Sequence, residues 1–275
     1  MRLLCLHGHG TNSEILETQL AQLRGYLPAD WEFDFLDGEM ESKPATGIED
    51  IFPGPYYSYH GVPIPEDVWR AYNFIMDVVQ EEGPFDGVIG FSQGAQMAAT
   101  IIAHEAMINP QADVFKFAVF LSAIMPFDME AGSLKLTYDD DVDTLEAEYQ
   151  GATNSQGSMT HNHLNWLNDC RATSVIAEWQ GRRSRLPGLG RQSTDILLRY
   201  HPSIHGIQIN IPTVHVYGLE DQYLHHARGL AGICDPKVSQ VVTHEGTHQI
   251  PRDGRNLMRI AEAIQWAVDH SLFLN

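Results

Sequence analysis

Short apolar runs alternate along this chain with longer stretches whose apolar residues recur at helical spacing. Arg2-Leu3-Leu4-Cys5-Leu6 reads as a strand, and Ser13 to Leu23 as a helix carrying Ile15, Leu16, Leu20 and Leu23. Trp31 to Leu36 alternates in the two-residue period of a half-buried strand. Pro65 to Val79 returns to helical spacing through Trp69, Tyr72, Phe74, Ile75 and Val78. Phe85-Asp86-Gly87-Val88-Ile89 is the next strand, and Ala95 to Ala103 the helix after it. Further strands are read at Phe117–Ser122, Ile211–Gly218 and Val238–Thr243, and a last helix at Pro251–Ser271, with Leu257, Ile260, Ile264, Trp266 and Val268 on its apolar side. Strands alternating with helices predict a mostly parallel sheet with helices on both faces, built as one α/β domain over residues 1–275.

Two stretches break the rhythm. Asp37 to Ile64 is a long irregular connection rich in Pro, Gly and Tyr, and connections of that length are commonly functional. Its Tyr56 and Tyr57 are candidates for a substrate-pocket wall. The second stretch, about 127–205, is far longer than a crossover between strands needs. It holds an acidic run (Asp139-Asp140-Asp141-Val142-Asp143), a helical pattern over Leu164–Trp179 and four clustered arginines, Arg182, Arg183, Arg185 and Arg191. An insert leaving the sheet at this strand is expected to act as a cap, with Trp166 and Trp179 offered to an apolar substrate.

The hydrophobic fraction of 43% over 275 residues supports a sizeable core. A net charge of −19 disfavours nucleic acid and anionic membrane surfaces, both of which are held by basic contacts. No apolar run approaches the roughly 20 residues of a membrane span. Three cysteines without metal spacing, and no secretory leader pattern at the start, fit a reduced, cytoplasmic setting.

The chemistry concentrates at Gly90-Phe91-Ser92-Gln93-Gly94, a G-x-S-x-G pentapeptide between a strand and a helix. That context marks a nucleophile elbow. The two glycines let strand and helix approach each other, and the serine is lifted to a helix N-terminus, which favours negative charge. A serine hydroxyl needs a base, and the base an orienting acid. Asp221 follows the Ile211–Gly218 strand, and His248 lies in the loop after Val238–Thr243. Glu220 and His244 are their rivals. An oxyanion hole would use the backbone N–H of Gln93 and that of His9, in the loop His7-Gly8-His9-Gly10-Thr11-Asn12. Backbone geometry accounts for this His-x-His segment without a metal. The pairs His161/His163 and His225/His226 lack acidic partners at ligand spacing and are read as surface or helix-end residues. The acidic run lacks the glycine and terminal glutamate of a calcium loop. No metal or organic cofactor is expected.

Five segments together resemble the fungal serine hydrolase family often called FSH: Leu6–Asn12, Phe52–Tyr57, Gly90–Gly94, Pro212–Gly218 and His244–Pro251. The resemblance covers nearly the whole chain apart from about 127–205. It implies a small α/β-hydrolase with the triad on Ser92, Asp221 and His248 and the oxyanion hole on His9 and Gln93. It also implies an esterase or thioesterase of the kind encoded beside fungal polyketide synthases, acting on a small-molecule acyl ester or thioester, with an acyl carrier domain as a candidate partner. Carrier domains are acidic, so docking on so acidic a chain would need a basic patch, and the arginine cluster reads more simply as a solvated loop. The rival readings are a general short-chain carboxylesterase and a non-catalytic hydrolase-fold binding protein. All three triad residues being present speaks against the latter.

Overall fold

The computed structural model describes residues 1–61, 63–110, 113–130, 133–136, 194–200 and 202–273. The apolar strand runs assemble as a six-stranded, wholly parallel sheet. Its strands are β1 (Arg2–Leu6), β2 (Glu32–Leu36), β5 (Gly87–Phe91), β6 (Phe117–Leu121), β9 (Thr213–Gly218) and β10 (Ser239–His244), in the spatial order β10-β9-β6-β5-β1-β2. β1, β5, β6 and β9 are almost entirely buried, as expected of parallel strands covered on both faces. One face packs Leu3, Cys5, Ile89, Val119, Val214 and Val242 against Leu16, Leu20 and Leu23 of α1 (Ser13–Arg24) and against Leu257, Ile260 and Ile264 of α6 (Gly254–Ser271). The helix after β5, α3 (Gln93–Ile108), packs on β1, β5 and β6 and contributes no described residue to that cluster, which places it on the opposite face. α5 (Leu224–Gly232) follows β9.

Local sequence explains the helix ends. Asn12 caps α1 by accepting the Ile15 N–H at 2.8 Å. Asp253 caps α6 in the same manner, so this helix starts at Gly254, three residues past the proline read as its opening. Within the long connection the structure places a short antiparallel pair that periodicity did not reveal, β3 (Met40–Glu41) with β4 (Tyr57–Ser58). Two-residue strands carry no period to read.

Contacts divide the chain into two units. The first comprises Met1–His60, Trp69–Met129 and Arg199–Asn275, and holds the whole sheet. Its excursion after β6 begins and ends on adjacent chain segments: Phe127 and Arg199 form an antiparallel bridge, and the Arg199 guanidinium lies 5.2 Å from the Phe127 ring centroid. The short helix α4 (Pro202–His205) then leads back towards β9. The second unit comprises Gly61–Val68 and Glu130–Leu198. In it β7 (Ser133–Leu136) pairs antiparallel with β8 (Thr194–Leu197), and the Leu197 N–H donates to the Pro63 carbonyl at 2.9 Å. The helix α2 (Pro65–Glu82) has its first turn in this unit and the rest in the first. The acidic run, the histidines 161 and 163, Trp166, Trp179 and the arginine cluster lie outside the described residues. No helix among the described residues is long and apolar enough to cross a membrane.

Candidate active site

Ser92 stands between the last residue of β5 and the first of α3, with φ 51° and ψ −111°. This is a strained backbone for a residue with a side chain, and such strain persists only where surrounding structure imposes it. The surroundings are visible here. The Ser92 N–H donates to the Leu121 carbonyl at 2.9 Å, and the Ser92 carbonyl accepts the Gln96 N–H at 3.0 Å. A Cβ on Gly94 would lie 2.1 Å from the Leu6 carbonyl oxygen, and one on Gly90 would lie 2.4 Å from the Ala95 backbone. The pentapeptide therefore needs both glycines so that α3 can press on β1 and β5.

The turn aims the Ser92 hydroxyl at His248, whose Nε2 lies 2.9 Å from Ser92 Oγ. His248 Nδ1 lies 2.9 and 3.1 Å from the two carboxylate oxygens of Asp221. An ionised carboxylate only accepts, so Nδ1 carries the proton and Nε2 is left to accept from the serine hydroxyl. Burial by itself would raise the Asp221 carboxyl. The hydrogen bond and charge of His248 and the Tyr223 N–H at 2.8 Å outweigh it and hold the group below its usual range. Ser122 assists. It is buried at the end of β6 with φ 45°, and its hydroxyl leans on that carboxylate without reaching ordinary hydrogen-bond geometry. The His248 ring packs on Phe91, at 5.3 Å between centroids, and on Tyr223, at 5.0 Å in a T-shaped arrangement.

The rivals are placed elsewhere. Glu220 is exposed, and its N–H donates to the Gly246 carbonyl. His244 is the buried last residue of β10, and its Nδ1 accepts the Gly246 N–H at 3.1 Å. It shapes the loop that carries His248.

The loop after β1 lies against the elbow: a Cβ on Gly8 would come within 3.4 Å of Ser92 Cβ and 2.9 Å of the Phe91 ring. His9 occupies the turn next to it, and Gln93 opens α3. The two candidate oxyanion donors are thus on segments that meet at Ser92. His7, by contrast, is a buried brace. Its Nε2 accepts the Gly38 N–H at 2.9 Å, so its Nδ1 donates to the Gly8 carbonyl at 2.7 Å. Burial lowers its pKa, which keeps the ring neutral. Among the described residues no group of three or more His, Cys, Asp or Glu could hold a metal ion. Of the two alternatives read for His225 and His226, surface or helix end, the structure places both at a helix end. Both lie in the first turn of α5, but His226 is buried and accepts the Met125 N–H. The Cys5 thiol is fully buried, which pushes its pKa up and leaves it a core residue.

Tyr56 and Tyr57 are both half-buried. The Tyr56 hydroxyl donates to Phe52 within its own loop at 2.6 Å. The backbone of Tyr57 does more, bridging to Gly10 and Thr11 at 3.0 and 2.7 Å and so bracing the His9 loop. Sequence reading did not single out Tyr223, Ser122, His60 or Gln96, nor the side chain of Gln93. Tyr223 had a detectable signal, since Asp two positions before it is the pattern of an Asx turn. The others are joined by tertiary contacts that leave no local pattern.

A parallel sheet with a strained serine elbow after its third strand in chain order, and an acid and a histidine after its last two, defines an α/β-hydrolase. Residues 1–260 match the family described as serine hydrolase (FSH1), and the chain belongs to that family; the protein is a serine hydrolase. It is 35% identical over 272 residues to the hydrolase FUB4 of Fusarium oxysporum f. sp. lycopersici, covering 96% of this chain and 97% of that one. It is 29% identical to the esterase alnB of Emericella nidulans, covering 98% and 97% of the two chains. Among solved structures, a SOBER1 variant from Arabidopsis thaliana superposes with a TM-score of 0.50 at 13% identity, over 98% of this chain and 99% of that one, a likeness of fold.

Proposed function

We propose that Ser92, His248 and Asp221 form the catalytic triad of an esterase that works through an acyl-enzyme. The observation that carries the reading is the unbroken chain from Ser92 Oγ to His248 Nε2 and from His248 Nδ1 to Asp221, at 2.9 Å for each link. Ser92 Oγ attacks the acyl carbon as its proton passes to His248 Nε2, and the carbonyl electrons move onto oxygen. The backbone N–H groups of His9 and Gln93 receive that oxyanion, a contribution on the order of several kcal/mol in comparable enzymes. As the tetrahedral species collapses, His248 returns the proton to the leaving oxygen or sulfur. Water, activated by the same histidine, then attacks the acyl-enzyme, and Ser92 is regenerated. Asp221 stays ionised throughout, orients the ring and stabilises its charged form.

The finer reading concerns the substrate. Family membership and an esterase-named relative support a small-molecule acyl ester. We extend that reading to an acyl thioester, with a polyketide-type acyl group presented free or on an acyl carrier domain.

A serine-directed fluorophosphonate tests the assignment. The adduct is expected on Ser92, and Ser92→Ala should abolish labelling and cut turnover by a factor on the order of 10⁴ or more. An adduct mapped by mass spectrometry to another residue would remove the triad. Turnover of matched acyl thioesters and aryl esters decides the finer point: a preference for short aryl esters, with no thioester cleavage, makes the protein a general carboxylesterase.

A further inference from the structure

The side chain of Gln93 is buried, at 6% exposure, beside the nucleophile it follows. Both ends of its amide are used on one stretch of the long connection. Oε1 accepts the Tyr59 N–H at 2.9 Å, and Nε2 donates to the His60 carbonyl at 2.8 Å. The grip continues from there. Tyr57, two residues before Tyr59, exchanges backbone hydrogen bonds with Gly10 and Thr11, the residues just after His9. The Tyr59 hydroxyl accepts the His7 N–H at 3.1 Å and donates to the Leu36 carbonyl. The Asn12 amide donates to the Pro55 carbonyl at 2.8 Å. The loop carrying His9 is therefore held along its length by residues 55–59, and those residues are tied to α3 by the Gln93 amide. Gln96 adds a second tie, accepting from His60 Nε2 at 3.1 Å.

We propose that Gln93 acts twice in the reaction, its backbone N–H as one oxyanion donor and its side chain as the positioning clamp that sets the spacing between that donor and the His9 N–H. This rests on the oxyanion pair proposed above. The two donors lie 84 positions apart in the sequence, so no local structure fixes their separation. An oxyanion hole works only when its donors are already placed where the charge develops, and small misplacements are costly in rate. Glutamine suits the task because one side chain offers an acceptor and a donor at the reach required. Ionised glutamate has no donor and would set a buried charge against the His60 carbonyl. Protonated glutamate offers an acceptor and an O–H donor in nearly the same shape.

Two substitutions that keep the backbone N–H test this. Gln93→Met removes both hydrogen bonds at similar volume. It should lower kcat by about ten- to a hundredfold, with KM changed by no more than about threefold. An octyl trifluoromethyl ketone, which becomes a tetrahedral oxyanion when Ser92 Oγ adds to its carbonyl carbon, should bind this variant more weakly by a similar factor. Gln93→Glu should be impaired at high pH, and its rate relative to the unsubstituted enzyme should climb as pH falls and the buried carboxyl takes up a proton. A purely structural glutamine would lower Tm but leave kcat, ketone affinity and that rate ratio unmoved. If the unsubstituted enzyme does not bind the ketone, the proposed triad and oxyanion pair fail, not the clamp alone. If it binds the ketone and folded Gln93→Met binds it equally well with unchanged kcat, the clamp alone is overturned. Should Gln93→Met not fold, a Gln93→Glu ratio that stays flat with pH overturns it equally.

Discussion

Asp221 and Glu220 are adjacent acids with opposite surroundings, and burial separates their roles. Asp221 is 5% exposed and its carboxylate is saturated by His248 and the Tyr223 N–H, whereas Glu220 faces solvent. Asp221→Asn would place an amide donor or a poorer acceptor against His248 Nδ1. The ring would then favour the tautomer protonated at Nε2, which cannot accept the Ser92 proton. Turnover should fall by a factor on the order of 10⁴, as in other serine triads, while Glu220→Gln should stay within about twofold, as for surface changes generally. Steady-state kinetics of the two variants decide the matter, and a larger loss at Glu220 would reassign the acid. His248→Ala should likewise be inactive. His244→Ala should only be weakened, because His244 bonds Gly246 and reaches the reaction through the loop. The choice between the two acids was not legible from residue type or spacing. It depends on the direction in which the chain turns after β9, and one residue of difference reverses inside and outside.

At the scale of elements, the site is made by loops that leave the C-terminal ends of strands and then touch. β9 and β10 run side by side in register, from Ser239 opposite Thr213 to His244 opposite Gly218. Just past that rung the two loops close on each other: the Leu219 N–H donates to the His244 carbonyl at 2.8 Å and the Glu220 N–H to that of Gly246 at 3.1 Å. Gly218 permits the approach, because a Cβ there would lie 2.0 Å from the Gly246 carbonyl oxygen and 2.4 Å from that of Thr247. Gly218→Ala should force the His248 loop away from Asp221. The expected result is a loss of about 1–3 kcal/mol in stability and a fall in fluorophosphonate labelling rate well beyond what that loss accounts for. An alanine variant that labels at the normal rate would show the loop to be more compliant than its contacts imply. Elements with sustained patterns were legible in sequence. The buried strands read as short apolar runs, α1 and α6 kept their helical period, and the elbow carried its own glycines. Elements whose register is imposed from outside were not legible. The β3–β4 pair is too short to show alternation, and its position follows from Gly10, Thr11 and the Gln93 amide, all distant in sequence.

For the whole molecule, acidification sets two effects against each other. The chain carries a net charge of −19 at pH 7 with a pI near 5.0, so lowering the pH relieves self-repulsion and favours the folded state. That gain is long-range and is screened beyond about 8 Å at physiological salt. The opposing effect is local and unscreened. His7, His215, His226 and His244 are buried, and burial lowers the pKa of each, that of His215 to about 3. A group whose pKa is depressed on folding contributes stability that is present above its unfolded pKa and is lost as pH falls through the folded value. For these histidines the loss begins near the ordinary value of 6.5, and for His215 it continues down to about 3. A single such group can take away up to about 1.4 kcal/mol per pH unit across that window. Asp221 acts in the same direction at lower pH, since its carboxyl is also held below its ordinary value. The protein should therefore lose stability below about pH 6.5 even as its net charge shrinks towards zero. His215→Leu isolates one contribution. The side chain lies inside β9 beside Phe120, and its hydrogen-bond partner Thr213 keeps the Ser239 hydroxyl at 2.7 Å, so the substitution orphans no polar group. Urea unfolding of the two proteins from pH 7 to pH 4 should give curves that diverge, the leucine variant losing stability less steeply. Parallel curves would mean that His215 is not held neutral by burial, and that the acid sensitivity has its origin elsewhere in the fold.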